Sequence, residues 1–203
     1  MGFYSNLVIP YCIDLAMSGE PLQQYRQQLL ESVAGEILEI GFGTGLNLPH
    51  YPTWVEKITT IDPNPGMKKL ARSRMADSDI TVDYLILNGE SLPMSDRSFD
   101  SVVCTWTLCS IPQVDRAISE VYRLLKPGGK FLFIEHGISK DASIQAWQNR
   151  LTPIQKIIAD GCHLNRNIRQ LVQQQFNNVT IEQFYAPNLP KVIGYMYRGV
   201  GIK

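Results

Sequence analysis

The stretch from Glu36 to Gly45, Glu-Ile-Leu-Glu-Ile-Gly-Phe-Gly-Thr-Gly, constrains the fold more than any other. Acidic and apolar residues give way to a glycine at every second position. Such a pattern reads as a buried strand that ends in a sharp loop. Gly41, Gly43 and Gly45 carry no Cβ, so the backbone can take positive φ and a ligand can lie directly against it. Glu39 stands just before the loop, where a carboxylate can reach whatever the loop cradles. Lys57 to Asp62 reads as a second strand ending in an acid. An acid about 20 residues beyond a glycine loop suits the two hydroxyls of a ribose.

Two cofactors use such an arrangement. A dinucleotide aims its pyrophosphate at a helix N-terminus behind a G-x-G-x-x-G loop. Here the spacing is G-x-G-x-G, and a carboxylate precedes it. That carboxylate would repel a diphosphate, but it would welcome the α-ammonium of S-adenosylmethionine. A tight turn with no ligand is the plain structural alternative.

The 203 residues are 44% hydrophobic and 19% charged, which suits one domain over residues 1–203. A helical cap is expected over 1–32 and a Rossmann-like core over 33–203. Basic and acidic residues balance, so the footprint of a general nucleic-acid binder is missing. The four cysteines form no C-x-x-C pair, and no histidine is spaced to complete a zinc site, so no metal is expected. No secretory signal or membrane-length apolar run is present. The expectation is a cytoplasmic monomer or weak dimer without stable membrane insertion; peripheral membrane contact stays open.

Strands and helices alternate along the chain, the pattern of an α/β, doubly wound, mostly parallel sheet. Helices are expected near Leu22–Leu30, Met67–Ala76, Val114–Leu125 and Asn167–Phe176. Another is expected over Ser143–Ile158, interrupted at Pro153. Val82–Leu87, Ser101–Thr105 and Lys130–Glu135 complete the parallel strands. Val179–Tyr185 and Val192–Tyr197 read as an antiparallel closing pair. Asn88 offers a donor and an acceptor suited to an adenine edge, and Gly89 lets the backbone approach the ring.

Taken together, Glu39-x-Gly41-x-Gly43-x-Gly45, Asp62, Asn88-Gly89-Glu90-x-Leu92-Pro93, Ser98-Phe99-Asp100 and Leu125-Lys126-Pro127-Gly128-Gly129 resemble the class I S-adenosylmethionine-dependent methyltransferases. The resemblance covers roughly residues 36–136. It implies a seven-stranded sheet with an antiparallel last strand. It also implies that Glu39 and the Gly41–Gly45 loop hold the methionine part and that Asp62 binds the ribose. Pro63 and Met67 would lie near the adenine, Asn88, Gly89 and Glu90 at its edge, and Thr105 and Trp106 near the methionine amino group. Further on, Glu135-His136-Gly137, Trp147-Gln148, Gly161-Cys162-His163-Leu164-x-Arg166 and Gly194-Tyr195 resemble the alkyl-thiol S-methyltransferases and their bacterial relatives.

The expected reaction is methyl transfer to a small-molecule acceptor, best a thiol or another soft nucleophile. A phospholipid or small amine is the alternative acceptor. A nicotinamide-dependent oxidoreductase and a binding protein without catalysis are the other classes. His136, at the end of the fifth strand, is the candidate base. Tyr4, Tyr11, Cys109, Trp147, His163 and Arg166 are candidate acceptor contacts, with the two tyrosines on a lid and Trp106 and Trp147 as walls. Nothing in the sequence lowers the pKa of Cys109 or Cys162, so both also read as structural.

Overall fold

A computed structural model describes residues 8–203. Its strands are β1 (Ile37–Ile40), β2 (Lys57–Ile61), β3 (Thr81–Leu85), β4 (Phe99–Thr105), β5 (Leu125–His136), β6 (Asn178–Tyr185) and β7 (Tyr195–Ile202). Its helices are α1 (Ile9–Met17), α2 (Glu20–Leu30), α3 (Pro65–Ala76), α4 (Val114–Leu124), α5 (Ala142–Ile158) and α6 (Ile168–Gln175). The strands form one sheet in the order β3-β2-β1-β4-β5-β7-β6. β1 to β5 pair in parallel, and β7 runs antiparallel to both β5 and β6. The doubly wound sheet with its reversed last strand is therefore present.

All four residues of β1 are buried, as a parallel strand covered on both faces requires. Successive side chains point to opposite faces. Leu38 and Ile40 join Val102, Phe131 and Phe133 against Ile118 and Val121 of α4 and Ile168 and Val172 of α6. Ile37 joins Val103, Leu132 and Ile134 against Leu29 and Leu30 of α2 and Ala71 of α3. The chain leaves β1 for β2 and β3 on one side, then returns to β4 on the other. In open α/β sheets, ligands bind at that switch, beyond the strands' C-terminal ends.

Three elements differ from the sequence reading. β5 starts at Leu125, which pairs with Phe99, while Lys130 pairs with Ser101. Residues 126–129 therefore bulge out of the ladder instead of ending the helix in a free loop. Asp100 explains the bulge: its Oδ2 accepts from Lys126 Nζ at 2.6 Å and from the Glu36 amide at 2.8 Å. α5 runs on through Pro153. Proline removes one helical N–H, and the rest of the ladder carries the turn; Thr152 Oγ1 adds a bond to the Gln148 carbonyl at 2.7 Å. β7 spans Tyr195–Ile202, later than expected, because 191–194 form a turn. No helix among the described residues is long and apolar enough to cross a membrane.

Gly199 of β7 faces Phe133 across the ladder, and a Cβ there would stand 2.5 Å from the Thr180 carbonyl oxygen and 2.6 Å from the Phe133 ring. Gly199→Ala should cost about 1–3 kcal/mol by forcing the β5–β7–β6 ribbon apart. Urea denaturation checks this; an unchanged midpoint would mean the strand pair yields freely.

Candidate active site

The β1 loop leaves the sheet through three left-handed glycines, with φ of 78° at Gly41, 57° at Gly43 and 82° at Gly45. The Gly41 amide donates to the Ile61 carbonyl at 2.8 Å, and a Cβ on Gly41 would collide with Thr107 at 2.1 Å. Gly45 packs on Phe42 and Leu48. Gly43 is different: a Cβ there would meet nothing within 4 Å. Its amide donates to Asp62 Oδ2 at 2.9 Å, while Asp62 Oδ1 accepts from the Asn64 amide at 2.8 Å. Asp62 follows β2 directly. Burial raises its pKa, and the two backbone N–H bonds oppose that rise.

Glu39 is 1% exposed. Its Oε1 accepts from Asn47 Nδ2 at 2.8 Å, and its Oε2 accepts from the Tyr51 hydroxyl at 2.7 Å. Asn47 Nδ2 also reaches Thr105 Oγ1 at 3.1 Å, which ties the β1 loop to the end of β4. The sequence reading has Glu39 reaching a ligand; the structure has both its oxygens engaged beneath the loop. Burial pushes its pKa up to about 7, against the hydrogen bonds from Tyr51 and Asn47.

Arg26 of α2 is the residue that sequence reasoning missed. It is 3% exposed, and its guanidinium lies 4.7 Å from the centre of the Trp106 ring. Nη1 donates to the Met17 carbonyl at 2.9 Å, and Nε has no partner among the described residues. Burial lowers its pKa to about 10, and the Glu39 charge opposes that. The available signal was an arginine among the apolar positions of an amphipathic helix. Asp14 was missed too. It accepts from Arg74 Nη1 at 2.8 Å and Thr44 Oγ1 at 2.5 Å, clamping α1 onto the glycine loop and α3.

Trp106 takes φ of 49° just after β4, a left-handed conformation that costs a bulky residue about 1–2 kcal/mol. Its amide bond to the Ile134 carbonyl, at 2.8 Å, and its Nε1 contact with Met196 Sδ, at 3.5 Å, hold it there. Glu135 Oε1 accepts from the Thr107 and Leu108 amides at 2.7 and 2.8 Å. Met67 is buried on α3 and Pro63 is exposed. Gly89 packs over Ile40, where a Cβ would stand 3.1 Å from its Cγ2. Asn88 is exposed and accepts from the Glu90 amide at 3.2 Å; Glu90 Oε1 accepts from the Gln113 amide at 2.8 Å, ahead of α4.

Beyond Trp106 the chain brings together residues far apart in sequence. The ligating atoms of Cys109, His136 and Cys162 all lie within 4.8 Å of one another. His136 Nε2 is 2.9 Å from Cys162 Sγ. His163 Nδ1 lies 3.1 Å from the Cys109 carbonyl, and Arg166 donates to the Leu108 carbonyl. A hydrogen bond from Cys162, and then the His136 charge, hold the Cys109 thiol well below its usual pKa. The Cys162 thiol is pushed up in turn. Burial would lower His136, but the Cys109 charge raises it.

Two expected acceptor contacts fall outside this cluster. Trp147 on α5 is 53% exposed and stacks with Arg150, so it walls no pocket here. Tyr11 on α1 is 58% exposed and turned to the surface. A side chain's helix can be read from sequence, but its facing depends on how the helix docks. Tyr4 lies outside the described residues.

Residues 38–133 match the family described as a methyltransferase domain. The thiol S-methyltransferase TMT1B of Rattus norvegicus is 40% identical over 152 residues, covering 72% of this chain and 62% of that protein. The chain thus spans less than two thirds of that relative. The thiol S-methyltransferase TMT1B of Homo sapiens is 31% identical over 199 residues, covering 92% of this chain and 81% of that protein. Among solved structures, an S-adenosylmethionine-dependent methyltransferase of Thermotoga maritima, titled a possible histamine N-methyltransferase, superposes with a TM-score of 0.68. It has 20% identity and covers 98% of both chains.

Glu39 gives a pH test of this geometry. Between its usual value of 4.5 and about 7, the folded chain holds a proton that the unfolded chain has lost. The stability tied to this group is full below the unfolded value and falls as pH rises to about 7. Across that window the wild type should lose up to about 3 kcal/mol that Glu39→Gln keeps. Urea midpoints at several pH values measure it. Parallel curves for the two proteins would contradict a shifted, buried carboxylate.

Proposed function

The chain belongs to the class I S-adenosylmethionine-dependent methyltransferases, and from that premise we propose that it moves a methyl group to a small-molecule thiol. The nicotinamide alternative falls with the family assignment. The observation that carries the reading is the junction of the β1 and β4 loops: an open glycine face backed by Asp62, beside a thiol-and-imidazole cluster.

The residues fit S-adenosylmethionine on three counts. Gly43 leaves space where any other residue would put a Cβ. Asp62 spends one bond per oxygen on backbone amides and keeps lone pairs for ribose hydroxyls. The unpartnered Arg26 Nε suits a methionine carboxylate, and the unpartnered Asn47 Oδ1 suits an ammonium. In this reading Glu39 acts from below, fixing Asn47 and the loop. Met67 and Gly89 would border the adenine, with Pro63, Asn88 and Glu90 around them. When bound, the cofactor supplies a methyl on a sulfonium, already a good leaving group.

The protein's part is then positioning and exclusion of water. Trp106 lies under Arg26 and packs toward Met196 beside the β4 loop. His136 is the group to draw off the acceptor's proton, and His163 and Arg166 border the same end of the sheet. The printed activity of the TMT1B relatives supports a thiol as the acceptor. The chemistry of the cluster supports it too, since a thiol must react as its thiolate.

Calorimetry should show S-adenosylhomocysteine binding and no NADH binding. Gly43→Val and Asp62→Ala should each weaken S-adenosylhomocysteine by at least about tenfold, ~1.4 kcal/mol, with the fold intact by circular dichroism. Unchanged affinity in either variant would remove the pocket from this loop. In a panel of thiols, amines and phospholipid headgroups, turnover should be confined to thiols; preferential turnover of an amine would refute the acceptor.

A further inference from the structure

Three side chains from three separate elements meet at the sheet's edge in the ligand set of a soft metal. Cys109 follows β4, His136 ends β5 and Cys162 follows α5. Cys109 and Cys162 are 2% and 6% exposed, and His136 is half-buried. In a tetrahedral zinc site, bonds of about 2.0–2.3 Å set neighbouring ligand atoms roughly 3.5–3.8 Å apart. Here the ligand atoms lie within 4.8 Å of one another, with the His136–Cys162 pair at 2.9 Å. Small side-chain adjustments would bring all three onto one centre.

One buried polar atom beside the cluster stands without a partner among the described residues. Glu135, wholly buried one residue before His136, has an Oε2 with no partner among the described residues. Two cysteine thiolates and one divalent cation together come to zero.

We propose that Cys109, His136 and Cys162 bind a zinc ion through three protein ligands, leaving a fourth position for the acceptor thiol. Sulfur and imidazole donors select zinc among the common divalent cations. Loading the site releases a proton from each cysteine and commits the neutral His136 ring nitrogen to the metal, which then takes over from His136 the ionising of the acceptor. The acceptor thiol releases its own proton to solvent on taking the fourth position, where a coordinated thiol is held as thiolate. Its sulfur lone pair then forms the new bond to the methyl carbon. The methyl–sulfonium bond breaks with its electron pair on the departing sulfur, and the acceptor ends as a methyl thioether. No oxidant or reductant enters. Zinc binding stands on the cluster alone; its use in methyl transfer rests on the thiol reading above.

The test uses tag-free, reduced, full-length protein dialysed against zinc. Mass spectrometric metal analysis should find about one zinc per chain. Cys109→Ser and Cys162→Ser should each retain less than about a tenth of that and still bind S-adenosylhomocysteine, which separates loss of metal from loss of fold. Cobalt in place of zinc should give sulfur-to-metal charge-transfer bands that change when a small thiol is added. Chelation should cut thiol methylation by at least about tenfold, and zinc should restore it. Metal-free wild type, or equal zinc in Cys162→Ser, would overturn the site. So would a chain that takes no zinc and instead closes a Cys109–Cys162 disulfide on mild oxidation. Thiol methylation unaffected by chelation would overturn the catalytic role while leaving the methyltransferase reading in place.

Discussion

Glu39 sits inside the fold with one oxygen on Asn47 and the other on Tyr51. A carboxylate in that position is held by the protein, and it holds the protein in return. Asn47 and Tyr51 both lie beyond the glycine loop, so the loop is closed over the strand that leads into it. Asn47 also reaches Thr105 at the end of β4. The spacing between the two central loops therefore depends on this one buried acid. Desolvating it is unfavourable, as its raised pKa records. What the fold gains is a loop whose amides are fixed before any ligand arrives, the preorganisation that binding and transfer chemistry reward.

Much of this was legible from local pattern. Each glycine of the loop does take positive φ, and Asp62 stands at the end of β2 against the loop. Parallel strands announced themselves as apolar runs, and α4 as apolar spacing. The illegible parts have a common cause, because they depend on how elements dock. Arg26 falls among the apolar positions of a glutamine-rich helix, a hint that only the docking of α2 over Trp106 turns into burial. Trp147 reads as a pocket wall, yet the outward face of α5 leaves it in solvent. Pro153 reads as a break, but a single missing N–H was tolerated. Cys109, His136 and Cys162 follow no spacing rule, because the sheet and α5 bring them together.

β4 and β5 repeat the device seen at β1. Glu135 is buried, and its Oε1 accepts from the Thr107 and Leu108 amides. Glu39 thus fixes the loop after β1 from one face of the sheet, while Glu135 on β5 fixes the loop after β4. Thr107 Oγ1 lies 3.5 Å from the Gly41 carbonyl, and no Cβ fits on Gly41 beside that side chain. The loops are therefore set against each other with little freedom to slide. Trp106, at the start of the β4 loop, keeps a left-handed conformation that an unsupported tryptophan would leave.

Two buried acids lie close to this edge, each with its pKa raised by burial, and a cation stands near each. On the β1 side Arg26 answers Glu39 through α2, an element placed before the sheet in sequence. That choice makes the N-terminal helices part of the site's electrostatics, with Asp14 clamping α1 to Thr44 and Arg74. On the β4 side the cations are Arg166 and the imidazole of His136, and they face two thiols as well as Glu135. An imidazole can carry its charge only by keeping its proton, so at that end charge balance and proton transfer are coupled. On the β1 side the arginine keeps its charge at any ordinary pH, and the group whose proton varies is Glu39, with its pKa near 7. Both ends of the cleft thus set a buried titratable group beside a guanidinium.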